Sequence, residues 1–220
     1  MRRLSQFGIG ILLLASTSTL AAEHPLEPGY FKRLLHLGQS PADRILHDVQ
    51  HFDQLEFFGG EAKIRPAQGE FYDFGDEPRY TPTTSLMIWT EQYSPNGFFV
   101  SQPPEGYFIQ YYHIYLYSPD ERVARLRLRI SGRLRIWNNG EMLVDQGSDG
   151  TIEDYVDFTL YAGVNAMTLK LKGRGAPESM NYFAVRITDR IDNEYIDLRY
   201  SLSPPPPEAD VQVSRHLPSE

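Results

Sequence analysis

The strongest pattern in the chain is an alternation of apolar and polar residues over 123–144, VARLRLRISGRLRIWNNGEMLV. Leu126, Leu128, Ile130, Leu134 and Ile136 hold one parity, and Arg125, Arg127, Arg129, Arg133 and Arg135 hold the other. Side chains alternate between the faces of a strand, so this predicts a half-buried antiparallel ribbon with a basic outer face. The stretch closes on Trp137-Asn138-Asn139-Gly140, with the Trp expected to point outward beside the arginines. Asn-Gly suits a type I′ hairpin turn, whose two central residues need positive φ. A two-residue turn at Ser131-Gly132 would pair Leu128 with Arg135 and break the alternation. A three-residue connection over 131–133 instead pairs Ile130 with Leu134 and Leu128 with Ile136, provided both runs share one sheet. It sets Arg129 beside Arg135 and Arg127 beside Trp137. Neighbouring like charges destabilise a sheet, so acidic neighbours, a ligand or a partner are expected over this face.

The same signals place strands near 55–58, 61–65, 69–74, 85–91, 97–100, 107–117, 122–130, 133–138, 141–145, 154–161, 166–172, 180–188 and 194–201. Turn residues separate them at 94–97 (SPNG), 118–120 (SPD), 162–165 (AGVN) and 173–175 (GRG). Many short strands at regular spacing predict an all-β antiparallel sandwich or jelly roll. Two short helices are expected before it. One covers Tyr30 to Leu37 and stops at Gly38; the other starts with Ser40 as cap, Pro41 in the first turn and Asp43 in a capping-box position. Ile45, Leu46, Val49 and Phe52 give that second helix an apolar stripe. The expected organisation is a signal peptide over 1–21, a linker with short helices over 22–54, a sandwich over 55–202 and a Pro-rich disordered tail over 203–220.

The address follows from the first residues. Arg2 and Arg3, the apolar run Phe7 to Ala15 and the small residues of Thr19-Leu20-Ala21 form a Sec-type signal peptide. The expected location is periplasmic or extracellular, with no transmembrane segment in the mature chain. Loss of two arginines moves the net charge from −8 to −10, which disfavours nucleic acid and anionic lipid as partners. There is no cysteine, so disulfides, thiolate metal sites and a cysteine nucleophile are excluded.

A further set of motifs follows the ribbon in order. After the Trp137-Asn138-Asn139-Gly140 hairpin come Leu160-Tyr161-Ala162-Gly163-Val164-Asn165, the strand Met167 to Lys172 and the strand Tyr182 to Ile187. In this order and spacing, roughly 105–200 resembles the galactose-binding-like jelly-roll modules of secreted bacterial proteins. The resemblance implies a β-sandwich, carbohydrate binding and sometimes calcium.

Aromatic rings stack on the apolar faces of sugars, which makes the tyrosine-rich strand 107–117 a candidate. Tyr111, His113, Tyr115 and Tyr117 share one parity, although rings in such strands also commonly fill the core. Candidate ligand-binding residues are therefore Trp137, Arg125, Arg127, Arg129, Arg135, Tyr111 and Tyr115, with Trp89 and Tyr93 as further aromatics. His47 and His51 sit at i and i+4 as in zinc proteases, but Asp48 replaces the catalytic glutamate and the polar face of a helix explains them equally. Asp145, Ser148 and Asp149 make calcium a candidate ion, against an ordinary acidic turn. Carboxyl pairs among Glu153, Asp154 and Asp157, Asp189 and Asp192, or Asp73 and Asp76 could serve a glycosidase. No catalytic residue is assigned. The expected function is a secreted, non-catalytic, carbohydrate-binding protein, with a protein–protein interaction or envelope-assembly factor as the alternative and a small glycan hydrolase third.

Overall fold

The computed structural model describes residues 22–42, 53–73, 86–101, 106–175 and 180–206. The expected signal peptide, the His47–His51 pair, Asp76 and most of the Pro-rich tail lie outside the described residues. Eleven strands are present among those described: β1 (His24–Pro25), β2 (Arg33–Ala42), β3 (Phe71–Asp73), β4 (Leu86–Tyr93), β5 (Phe99–Ser101), β6 (Gly106–Ser118), β7 (Arg122–Asn138), β8 (Glu141–Leu160), β9 (Gly163–Gly175), β10 (Asn181–Thr188) and β11 (Arg199–Ser201). All pairings between them are antiparallel. The expected β-sandwich is the architecture observed.

The opening alternation is one strand, not two. β7 runs unbroken through 131–133 and pairs with β8 along its whole length. Its first half, 125–131, lies beside β10; its second half, 133–138, lies beside β9. The change of neighbour falls at a bulge between Ser131 and Gly132, where Gly132 has φ +111°. A Cβ there would stand 2.9 Å from the Lys172 carbonyl oxygen, so a residue without one lets the strand turn the corner. The proposed pairing of Ile130 with Leu134 is corrected: Ile130 faces Ile152 and Leu134 faces Gln146. The Asn139-Gly140 turn is as expected, with φ of 49° and 92°.

This corner divides the strands into two layers. One carries β3-β4-β2-β6-β9 and the second half of β7; the other carries β5-β10 and the first half of β7, with β8 continuing along both. Between them lies a core to which Leu34, Tyr112, Ile114, Leu116 and Leu169 contribute from the first layer. Leu126, Leu128, Ile130, Phe158, Phe183 and Val185 contribute from the second.

The outer face of the first layer is also covered. Residues 53–70 fold over it and form a second core of Leu55 and Ile64 against Leu35, Leu37, Trp89 and Tyr111. The strands expected at 55–58 and 61–65 are not formed; a 3-10 turn at Glu56–Phe58 and further turns occupy them. Gly59 and Gly60 take positive φ, and Asp53 accepts from the backbone of Leu55 and Glu61, which favours a compact loop over an extended strand.

The helix expected over Tyr30 to Leu37 is instead the start of β2, and Ser40 and Pro41 continue that strand. Leu34, Leu35 and Leu37 are all fully buried because β2 lies in a sheet covered on both faces. A doubly covered strand loses its two-residue period and imitates a helical stripe. Within the stretch expected as linker and helices, His24–Pro25 and Arg33–Ala42 pair into the sheet.

Candidate binding face

The exposed side of the second layer is built from three cross-strand rows. Arg125 lies between Asp157 on β8 and Thr188 on β10; Arg127 lies between Tyr155 and Arg186; Arg129 lies between Glu153 and Ala184. Their neighbours across the strands share the face, about 4.8 Å apart from strand to strand.

Each arginine of these rows meets a carboxylate. Arg125 grips Asp157 through two contacts of 2.7 and 3.2 Å, and its guanidinium holds the Asp157 carboxyl below the usual carboxylate range. Arg127 donates to Asp192 at 2.6 Å, Arg129 pairs with Glu153, and Arg186 donates to Glu194 at 3.3 Å. The expectation that acidic neighbours would offset the arginines holds, although the acids come from β8 and the 189–194 turn. Asp192 itself has φ +71°, and Asp189 fixes that turn by accepting from Ile191 and Asn193 backbone N–H groups, both at 2.8 Å.

Tyr155 rises from the middle row and is 49% exposed. The Arg125 guanidinium stands 4.0 Å from its ring centre and that of Arg127 5.3 Å, so the ring is held in place by its neighbours. Tyr30 lies at the other end of the row, with Arg186 5.7 Å from its ring centre. Phe31 N–H donates to the Val185 carbonyl at 2.8 Å and ties this segment to β10. Gly97 makes room for Tyr30: a Cβ on it would fall 2.3 Å from the Tyr30 Cβ, and its φ is +74°. An open groove runs between the two tyrosines, over Leu128, and Glu153 and Asp154 also line it.

The other expected ligand residues are distributed differently. Because β7 turns at Gly132, Arg135 and Trp137 leave the face of Arg125, Arg127 and Arg129 and lie on the outer side of the first layer. Their cross-strand partners there are Lys170 and Thr168. The outward Trp is corrected: Trp137 and Arg135 are each only 6% exposed. Arg135 donates to Asp145 at 3.0 and 2.7 Å. Tyr111 and Tyr115 are buried on the same side, donating to Glu61 and to the Pro66 carbonyl. Trp89 is fully buried, whereas Tyr93 is exposed with Arg33 4.6 Å from its ring centre.

The acidic stretch expected as a loop over 145–150 is part of β8, and Asp145 is engaged by Arg135. Among the described residues no three His, Asp or Glu side chains gather as a metal site. Glu153 and Asp157, taken as a carboxyl pair, are each tied to an arginine. The Leu160 to Asn165 motif is a clasp: the Asn165 side chain accepts from Tyr161 N–H at 2.9 Å and donates to Tyr161 C=O at 2.8 Å.

Tyr155, Tyr30 and Arg186 were not among the residues expected to bind. Tyr155 shares the parity of Glu153 and Asp157, so strand alternation could have placed it on the basic face. Nothing local marks Tyr30, whose place depends on contacts with β10 and the Gly97 turn.

No protein-family model matches the chain, and no curated protein matches it. Among solved structures, it is similar to a β-glucosidase from Kluyveromyces marxianus in complex with glucose, at 17% identity and a TM-score of 0.39. That likeness covers 56% of this chain and 15% of the other, so the chain spans only a small part of that enzyme. The PA14 sugar-binding domain from an RTX adhesin is 13% identical with a TM-score of 0.41, over 77% of this chain and 98% of the other. The epithelial adhesin 6 A domain from Candida glabrata, in complex with Galb1-3GlcNAc, is 9% identical with a TM-score of 0.38, over 88% and 96%.

Proposed function

We propose that the chain is a non-catalytic carbohydrate-binding protein that recognises glycan on the outer face of β8, β7 and β10. The observation that carries this reading is Tyr155, a half-exposed ring held by Arg125 and Arg127 beside an open groove. A ring supplies a flat apolar surface for a sugar, and a guanidinium has five donors, of which an ion pair uses about two. The paired carboxylates likewise keep lone pairs free. Hydroxyl groups, which donate and accept, fit such a mixed array. The acids on this face are locked in ion pairs, which suits binding better than acid–base catalysis.

The Sec-type signal read from the sequence supports a periplasmic or extracellular setting for this activity. A glycan array and isothermal titration calorimetry with purified protein test it. Binding by the native chain that Tyr155→Ala weakens about tenfold supports the reading. Absence of binding to every polysaccharide tried overturns it and favours a protein partner.

A further inference from the structure

We infer that the groove takes a neutral glycan of at least two sugar units, laid across the strands from Tyr155 to Tyr30; this rests on the carbohydrate-binding reading above. The first ground is the charge balance. Arg125, Arg127, Arg129 and Arg186 are each engaged by a carboxylate, so an acidic sugar would have to displace an existing partner. It would also approach Glu153 in the groove wall. Like charges at close range disfavour such a ligand, and a neutral one meets no such opposition.

The second ground is the row itself. Tyr155, Arg127 and Arg186 are direct partners across three neighbouring strands, and Tyr30 closes the row beside Arg186. Two inter-strand steps span about 10 Å, which separates the aromatic ends by more than one sugar ring occupies. Between them, the arginines offer their remaining donors. The two tyrosines are held by different devices, Tyr155 by arginines and Tyr30 by the β10 and Gly97 contacts. Both are therefore fixed before a ligand arrives, which lowers the ordering cost of binding.

Titration calorimetry with the native chain tests this, using β-glucan, galactan and xylan fragments of increasing length against polygalacturonate and alginate. The expected result is binding of a neutral series that begins at the disaccharide, with affinity changing less than twofold between low and high salt. Tyr30→Ala and Tyr155→Ala should each weaken it about tenfold. Arg186→Gln, which leaves Tyr30 in place, serves as the control should Tyr30→Ala unfold and should weaken binding too. Preference for the uronate polymers with affinity falling steeply in salt overturns the neutral class while leaving the carbohydrate reading intact. A monosaccharide bound as tightly as its oligomers, or Tyr30→Ala and Arg186→Gln without effect, overturns the spanning geometry alone. No binding of any of these polymers overturns the carbohydrate reading itself, and this inference with it.

Discussion

Removing the carboxylate of Glu61 should unfasten the 53–70 segment from the sheet it covers. Lys170 is fully buried and Glu61 is 4% exposed. The Lys170 ammonium donates to a Glu61 oxygen at 2.6 Å, and Tyr111 O–H donates to the same oxygen at 2.5 Å. The Gln54 N–H adds a third contact at 3.3 Å. Burial raises the Glu61 carboxyl pKa and lowers that of the Lys170 ammonium, while the attraction between them works against both shifts. Truncating one member leaves the other's charge in a site built for the pair, which costs about 3–5 kcal/mol. For a domain of this size each kcal/mol moves Tm by about 2–4 °C, so Glu61→Leu should lower it by roughly 6–20 °C. Chemical denaturation of Glu61→Leu, Lys170→Met and the double variant gives the coupling between them. The double variant should be more stable than the sum of the single losses implies, by about 1–3 kcal/mol, because it removes both charges together. Single variants within about 1 kcal/mol of the native chain, or strictly additive losses, refute the reasoning. Glycan binding should survive in any folded fraction, since Tyr155 lies on the other layer.

Four further outcomes are expected. Gly132→Ala should cost about 1–3 kcal/mol in denaturant, since φ +111° and the 2.9 Å approach to the Lys172 carbonyl admit no Cβ without strain. Trp137→Ala should lose about 3–5 kcal/mol of stability and leave glycan affinity in the folded fraction unchanged, because the ring is 6% exposed and away from the groove. Asp154→Val should produce concentration-dependent self-association in size-exclusion chromatography. β8 pairs only with β7 among the described residues, and Asp154 holds an inward-pointing parity opposite Leu128, a charge that discourages edge pairing. Burial depresses His36 to about 4, so the native state refuses a proton that the unfolded chain accepts below about 6.5. Stability should therefore fall as pH drops through that window, by about 1.4 kcal/mol per pH unit from this group. His36→Gln should flatten the slope in denaturation midpoints measured across the window; an unchanged slope would remove His36 as its source.

The parts of the fold legible in the sequence are those where one side of a strand meets water. Over 122–130 the second layer has a solvated face, so Leu126, Leu128 and Ile130 alternate cleanly with the arginines. Beyond Gly132 both faces of β7 are covered, and Leu134 through Asn138 are buried without interruption. The alternation in residue type continues there, but it no longer reports exposure. Arg135 is buried with Asp145 pairing its charge, and Trp137 is buried beside it on the same side of the strand. The same cover hid β2, whose leucines at 34, 35 and 37 fit a helix as well as a doubly buried strand. That cover is assembled from residues far apart in the chain, such as Glu61 with Lys170 and Tyr115 with Pro66. No window along the sequence contains both halves of those contacts.

The candidate face shows the same limit from the other direction. Parity establishes that Arg127 and Arg135 point to the same side of their own strand. It does not establish that they point to the same side of the protein, because a single glycine at the bulge carries the strand from one layer to the next. Arg125, Arg127 and Arg129 remained a surface for that reason, and the aromatic beside them is Tyr155 from β8 rather than Trp137. Tyr155 shares its parity with Glu153 and Asp157, the acids that pair with Arg129 and Arg125. The strand that cancels part of the charge of the arginines therefore also supplies the ring. Any ligand recognised by that ring meets a face whose arginines are already paired, so stacking and hydroxyl contacts, rather than net charge, decide what it binds.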